Sequence, residues 1–154
     1  MERSLAVTAT LAPVRTSRAS LASTTITAVG ALAAAGNAAL HLYLTPEHTN
    51  AEHVAMGHAY VGALFAVTGV LLAAVVVALA LRPFRRVRTE AWWAGAILNL
   101  AMAATLVVSR LTTWMPNGYQ EDWAPLPVAC VALEVVFLAA FLGWIGQREE
   151  VHTP

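Results

Sequence analysis

The chain has 154 residues, 58% of them apolar and only 12% charged, with a mean hydropathy of +0.64, which lies outside the range of ordinary soluble domains. Its formal net charge is zero, it contains no lysine and all nine basic residues are arginine, so a basic nucleic-acid-binding surface is not supported. The single cysteine, Cys130, lies in an apolar run; it provides neither an intrachain disulfide framework nor a cysteine metal motif, and it reads as a small core residue.

A bilayer core about 30 Å thick needs about 20 helical residues per crossing, so this length allows four or five crossings and leaves no room for a soluble catalytic domain. Residues 1–20 are mostly Thr, Ser, Ala and Arg without a sustained apolar period and read as a flexible cytoplasmic tail. Four apolar runs follow, at 21–44, 56–81, 91–111 and 126–146, and residues 147–154 form a second tail. The fold class expected is all-α, a polytopic four-helix membrane bundle. The first run is rich in Ala and Gly. A charged lead before Ala33-Ala34-Ala35 also suits a signal peptide, but the apolar stretch continues to Leu44, longer than a typical signal core. Small residues allow close helix approach, so this helix is expected in the interior of the bundle.

Arginine marks one side of the membrane. Arg3, Arg15 and Arg18 precede the first run, Arg82, Arg85, Arg86 and Arg88 separate the second from the third, and Arg148 follows the fourth. The other two loops, 45–55 and 112–125, have no basic residue, and Arg110 is the one exception to the pattern. The positive-inside rule then places both termini in the cytoplasm and the multi-pass chain in the inner (plasma) membrane. Tyr43, Tyr60, Trp114, Tyr119 and Trp123 fall at the outer interface and Trp92, Trp93 and Trp144 at the inner one, as aromatic belts do. The arginine cluster at 85–88 is explained by topology and anionic lipid. Polar residues of the first helix pair are not echoed in the second, which argues against an inverted-repeat transporter.

Four of the five histidines, His41, His48, His53 and His58, occur within eighteen residues, with Glu47 and Glu52 among them. Pro46 is expected to end the first helix abruptly. Thr49 to Glu52 fits a capping box, so the second helix is expected to start there and run inward through His58. A tight hairpin would bring His41 and His58 to similar depth. Neutral imidazole binds metals and haem iron alike, so His41 and His58, with His48, Glu47 or Glu52, form a candidate site for Cu or Zn. His53 and His58, five residues apart, would point about 140° away from each other on a continuous helix.

Ionisable residues within apolar runs call for partners. Glu134 in the fourth run and Arg110 near the end of the third could pair with each other, and His41 is an alternative partner for Glu134. Asn37, one turn before His41, and Asn99 are expected to act as interhelical links. Gly62 and Gly69 share a stripe with His58 and Phe65, a groove for a neighbouring helix or a flat cofactor. The loop 112–123, with its Pro-Asn-Gly turn, two acids and aromatics, could cap the histidine face.

His41-Leu42-Tyr43-Leu44-Thr45-Pro46-Glu47-His48, Ser109-Arg110-Leu111-Thr112, Glu121-Asp122-Trp123 and Glu134 resemble the pattern of a group of small actinobacterial four-helix membrane proteins. The resemblance spans about residues 21–146, implies the same topology and carries over no chemistry.

The leading functional expectation is a transition-metal-binding or metal-handling membrane protein whose His/Glu site opens outward. A haem b electron carrier with His41 and His58 as axial ligands is a second. A non-catalytic scaffold or accessory subunit, as a homo-oligomer or within a larger membrane complex, is a third. A small ion or proton pathway through Arg110, Glu134 and Asn99 is a fourth. No nucleophile-base set, phosphate loop or complete metal-hydrolase motif points to an enzyme.

Overall fold

The computed structural model describes residues 15–81, 84–112, 115–116 and 124–150, and side chains within 21–148 of these except that of Arg85. Among the described residues it contains five α-helices and no strand: α1 (Arg15–His48), α2 (Ala51–Ala55), α3 (Ala59–Ala80), α4 (Arg85–Leu111) and α5 (Pro125–Glu150). All but the five-residue α2 are long and apolar enough to cross a membrane. Their outward faces carry Leu32, Val70, Ile97, Leu100, Val135 and Leu142, each more than half exposed. A soluble bundle puts charge at such positions; large apolar side chains there belong to a membrane protein.

Consecutive long helices run antiparallel. α1 packs most closely along α3 and α5, and α4 closes the ring through looser contacts with those two. One end, where α1 stops and α3 starts, carries the histidines; the other, where α4 starts, carries Arg86 and Arg88. These are called the histidine end and the arginine end below.

The arginine end is the dry core. Trp92 is fully buried against Phe137 and Trp144, with ring centroids 5.3 and 5.6 Å away, and Phe141 completes the cluster. Opposite these aromatics α1 presents mainly small residues, Ala33 and Ala34, with Ile26 at the margin, and a Cβ at Gly30 would strike the Trp92 ring. Large rings against a small-residue helix give close packing without voids. Trp92 and Trp144 therefore belong to the core and not to an interfacial belt, whereas Trp93 is about half exposed. Arg148 lies over the Trp144 ring, 4.8 Å from its centroid, as a cation–π contact.

Three local expectations are corrected at the histidine end. α1 runs through Pro46 to His48 and does not stop at the proline. Side chains there hydrogen-bond back onto the helix, Thr45 Oγ1 to the His41 carbonyl and Thr49 Oγ1 to that of Thr45, so the last turn holds although Pro46 contributes no N–H. The next helix is capped by Asn50, whose side chain accepts from the His53 N–H at 2.9 Å, and not by Thr49. That helix also stops at once. Gly57, with φ 75°, follows the C-cap Met56; the His58 N–H returns to the His53 carbonyl and the Gly57 N–H to that of Val54, a Schellman closure. α3 starts afresh with His58 at its N-cap, so no continuous helix joins His53 to His58.

The glycine stripe on α3 is filled by α1. A Cβ at Gly62 would meet Thr49 and the His48 backbone, and one at Gly69 would meet Leu42 at 2.7 Å. This close approach brings the last turns of α1 against α3 and leaves no slot for a flat cofactor between them.

Candidate functional site

Asn37, Asn99 and Glu134, from α1, α4 and α5, are buried to 0, 0 and 2% exposure. Asn99 Nδ2 donates to the Gly95 carbonyl at 2.7 Å on its own helix, and its Oδ1 accepts from Asn37 Nδ2 at 3.3 Å across the bundle. The Asn37 side chain also interacts with the Glu134 carboxyl. One turn further along α1, His41 donates from Nδ1 to the Asn37 carbonyl at 3.0 Å; a carbonyl only accepts, so this nitrogen carries the proton and the lone pair sits on Nε2. Three helices are thus tied by one polar layer, with His41 fixed above it.

Two acceptors in this layer, Asn37 Oδ1 and Glu134 Oε2, have no hydrogen-bond partner among the described residues. Each buried group left so costs about 1–3 kcal/mol. Beside the layer, towards the histidine end, lies a cavity of about 250 Å³ whose walls include Glu134, His41, Ser109 and Cys130, with Phe65, Met102 and Met115 among the apolar ones. Helical spacing explains the convergence: Val61, Phe65 and Thr68 lie on one face of α3, Leu98, Met102, Thr105 and Ser109 on one face of α4, and Cys130 and Glu134 four apart on α5. Ser109 and Thr105 spend their hydroxyls on the carbonyls of Leu106 and Ala101. Glu134 and His41, with the Thr68 hydroxyl, are therefore the cavity's principal polar groups.

The five intramembrane and paired expectations divide accordingly. Asn37, Asn99, Glu134 and His41 come together. Arg110 does not join them: it is half-buried in the last turn of α4, and Glu134 forms no ion pair among the described residues, its carboxyl interacting with Asn37. His41 and His58 are not presented as a facing pair. Ring contacts run from His41 to Phe65 (5.0 Å), Phe65 to His48 (4.5 Å, stacked), His48 to His53 (5.3 Å) and His53 to His58 (6.4 Å), so Phe65, His48 and His53 stand between them in that series. The His53–His58 approach follows from the break at Gly57. Glu47 and Glu52 are exposed. Among the described residues no group of three or more His, Cys, Asp or Glu side chains is placed to hold a metal ion. Of the loop expected to cap the histidine face, Met115 lines the cavity and the Pro116 carbonyl accepts from the Tyr60 hydroxyl at 2.9 Å; Trp114, Tyr119, Glu121, Asp122 and Trp123 lie outside the described residues.

Phe65 and Cys130, expected as a groove residue and a small core residue, are cavity walls, and so are Thr68 and Met102, for which the sequence suggests no role. A signal existed in the i, i+3 and i+4 recurrence of hydroxyl, thioether and thiol groups on otherwise aliphatic helices. No protein-family model, curated protein or solved structure matches the chain.

Proposed function

We propose that this is a multi-pass inner-membrane protein, both termini cytoplasmic, that binds a small hydrogen-bond-donating ligand in an intramembrane cavity facing the outer half of the bilayer, with Glu134 as the recognising carboxyl and His41 beside it. The observation that carries this reading is the unpartnered Oε2 of a carboxyl 2% exposed, on the wall of a cavity of about 250 Å³. A buried acceptor with no protein donor takes its donor from outside the chain, and on the wall of a cavity that donor can be a ligand in place of water. Intramembrane ionisable groups are costly to retain without such a use. Among the described residues His41 is the sole basic side chain on the cavity wall, so the site selects a cationic or neutral donor over an anion.

The probe is butylamine, titrated into protein in nanodiscs and followed by thermal stability. Wild type is expected to be stabilised in a saturable way, and Glu134→Gln to weaken the effect by about tenfold or more, equivalent to about 1.4 kcal/mol. Equal stabilisation of both proteins would overturn the assignment. The arginine-based orientation is tested separately in a Cys130→Ala background: Glu47→Cys is expected to react with a membrane-impermeant maleimide in intact cells, and Glu90→Cys only after permeabilisation.

A transition-metal site at the histidine end is a second reading, supported by one arrangement. His48 Nδ1 donates to the Leu44 carbonyl at 2.9 Å and His53 Nδ1 to Asn50 Oδ1 at 3.0 Å, which fixes the orientation of two imidazoles whose ring centroids lie 5.3 Å apart. Zn²⁺ or Cu²⁺ titration is expected to give saturable binding lost in His53→Ala; binding unchanged by that substitution would remove the reading.

A further inference from the structure

The polar cavity does not end at the polar layer. A second cavity of about 600 Å³ runs along the seam between α3 and α4 towards the arginine end, and Leu98 and Ala101 are walls of both. Its α4 side follows Val87, Ala91, Ala94 and Leu98 to Ala101, a stripe at helical spacing about 21 Å long at 1.5 Å per residue. Its α3 side is equally small and apolar, with Ala74 and Ala78. From Val87 to Ser109 the two cavities together track about 33 Å of α4, the thickness of a bilayer core. The unpartnered Glu134 oxygen belongs to the polar layer near Leu98 and Ala101, where the two adjoin, and the seam from there to Glu90 offers hydrocarbon contacts.

Resting on the ligand-site reading above, we infer that the ligand is a single-chain amphiphile whose cationic or neutral head donates a hydrogen bond to Glu134 and whose apolar tail lies in the α3–α4 seam. Length and lining select the tail: the seam is a groove about 21 Å long between apolar side chains, open to the lipid side, where Ile97 is 66% exposed. Charge selects the head. An anionic phosphate or fatty-acid carboxylate would meet the Glu134 carboxyl with no arginine among the described residues of the cavity wall to offset it, so ordinary phospholipids and fatty acids are disfavoured. Because lipid tails solvate a hydrocarbon chain as well as the protein does, the seam contributes position and packing, while the head group contributes selectivity.

The test uses the full chain in phosphatidylcholine nanodiscs with two photoreactive probes, hexadecylamine and palmitic acid, each carrying a diazirine near the chain end, and adducts mapped by mass spectrometry. The amine is expected to label the seam around Ala74 and Ala94 severalfold more than the lipid-facing side of α5 around Val135 and Leu142, and palmitic acid to show no such preference. Filling the seam with Ala78→Leu and Ala94→Leu is expected to abolish the preference while leaving butylamine binding intact. Equal enrichment of amine and acid would identify a groove for any lipid chain and overturn the inference, as would uniform labelling or adducts joining two copies at the seam. If butylamine binding stays dependent on Glu134 in those cases, the tail assignment alone fails; if that dependence is also absent, the ligand-site reading fails with it.

Discussion

Asn37 and Asn99, 62 residues apart and both fully buried, meet through one amide hydrogen bond of 3.3 Å that links α1 to α4 across the centre of the bundle. These helices are diagonal partners in the ring, so the bond sets their relative height where apolar packing alone would tolerate sliding. A double-mutant cycle with Asn37→Ala and Asn99→Ala is expected to give a coupling of about 0.6 kcal/mol, with an upper bound near 1.7, typical of hydrogen bonds inside membranes. Equilibrium unfolding in mixed detergent measures it; additive single effects would show that the bond links nothing.

Glu134 is expected to be a liability for stability. Its Oε2 has no partner among the described residues and its burial is nearly complete. Replacing a buried charge-bearing group by an apolar one of similar volume is commonly stabilising. Glu134→Met is thus expected to raise unfolding free energy by about 1–3 kcal/mol while abolishing butylamine binding, the trade expected of a residue kept for function. A loss of stability in Glu134→Met would instead mark the carboxyl as a structural link to Asn37.

The helices were legible because their signal is redundant: any of several aliphatic residues in 59–80 or 126–146 can be lost without hiding a span. The site was legible only as a set of misplaced polar residues. Asn37, Asn99, His41 and Glu134 stand out in apolar runs, but which one touches which depends on helix rotation, and rotation is set by packing: Gly30 against Trp92, Gly69 against Leu42, Gly95 against Phe137. Charge attraction points Glu134 to Arg110, whereas Asn37 is the neighbour that acts on its carboxyl. At the histidine end the count of imidazoles drew attention away from Gly57, whose Schellman closure breaks the helix and decides where His53 and His58 lie. The cavity walls were least legible, since a void is a property of four helices at once and has no sequence period of its own.

Gly57 offers a direct check on that closure. At φ 75° a side chain costs about 1–2 kcal/mol, and Asn tolerates this region better than Ala. Gly57→Ala is expected to destabilise the protein by about that amount and Gly57→Asn by less. If Ala were accepted without cost, α2 and α3 would be fusing into one helix, and the 6.4 Å approach of His53 to His58 would be lost with the break. Thermal unfolding of the two variants, with crosslinking of His53→Cys to His58→Cys in a Cys130→Ala background, separates the cases.

The arginine end makes the sharpest packing prediction, because one small and one large residue are interlocked there. A Cβ at Gly30 would strike the six-membered ring of Trp92, at the atoms that phenylalanine lacks. Gly30→Ala is therefore expected to cost about 1–3 kcal/mol through overpacking. Trp92→Phe removes the obstacle and also an indole N–H that has no acceptor among the described residues, but it leaves a void against Phe137 and Trp144. In the double variant the added methyl enters that void, so the pair is expected to be more stable than the sum of the single losses by about 0.5–3 kcal/mol. Trp92→Ala, which empties the site, is expected to cost about 3–5 kcal/mol and is not repaired by one methyl at Gly30. Unfolding of the four proteins in the same detergent measures the coupling; additivity would mean that Gly30 and Trp92 do not touch, and that α1 sits against α4 at another rotation.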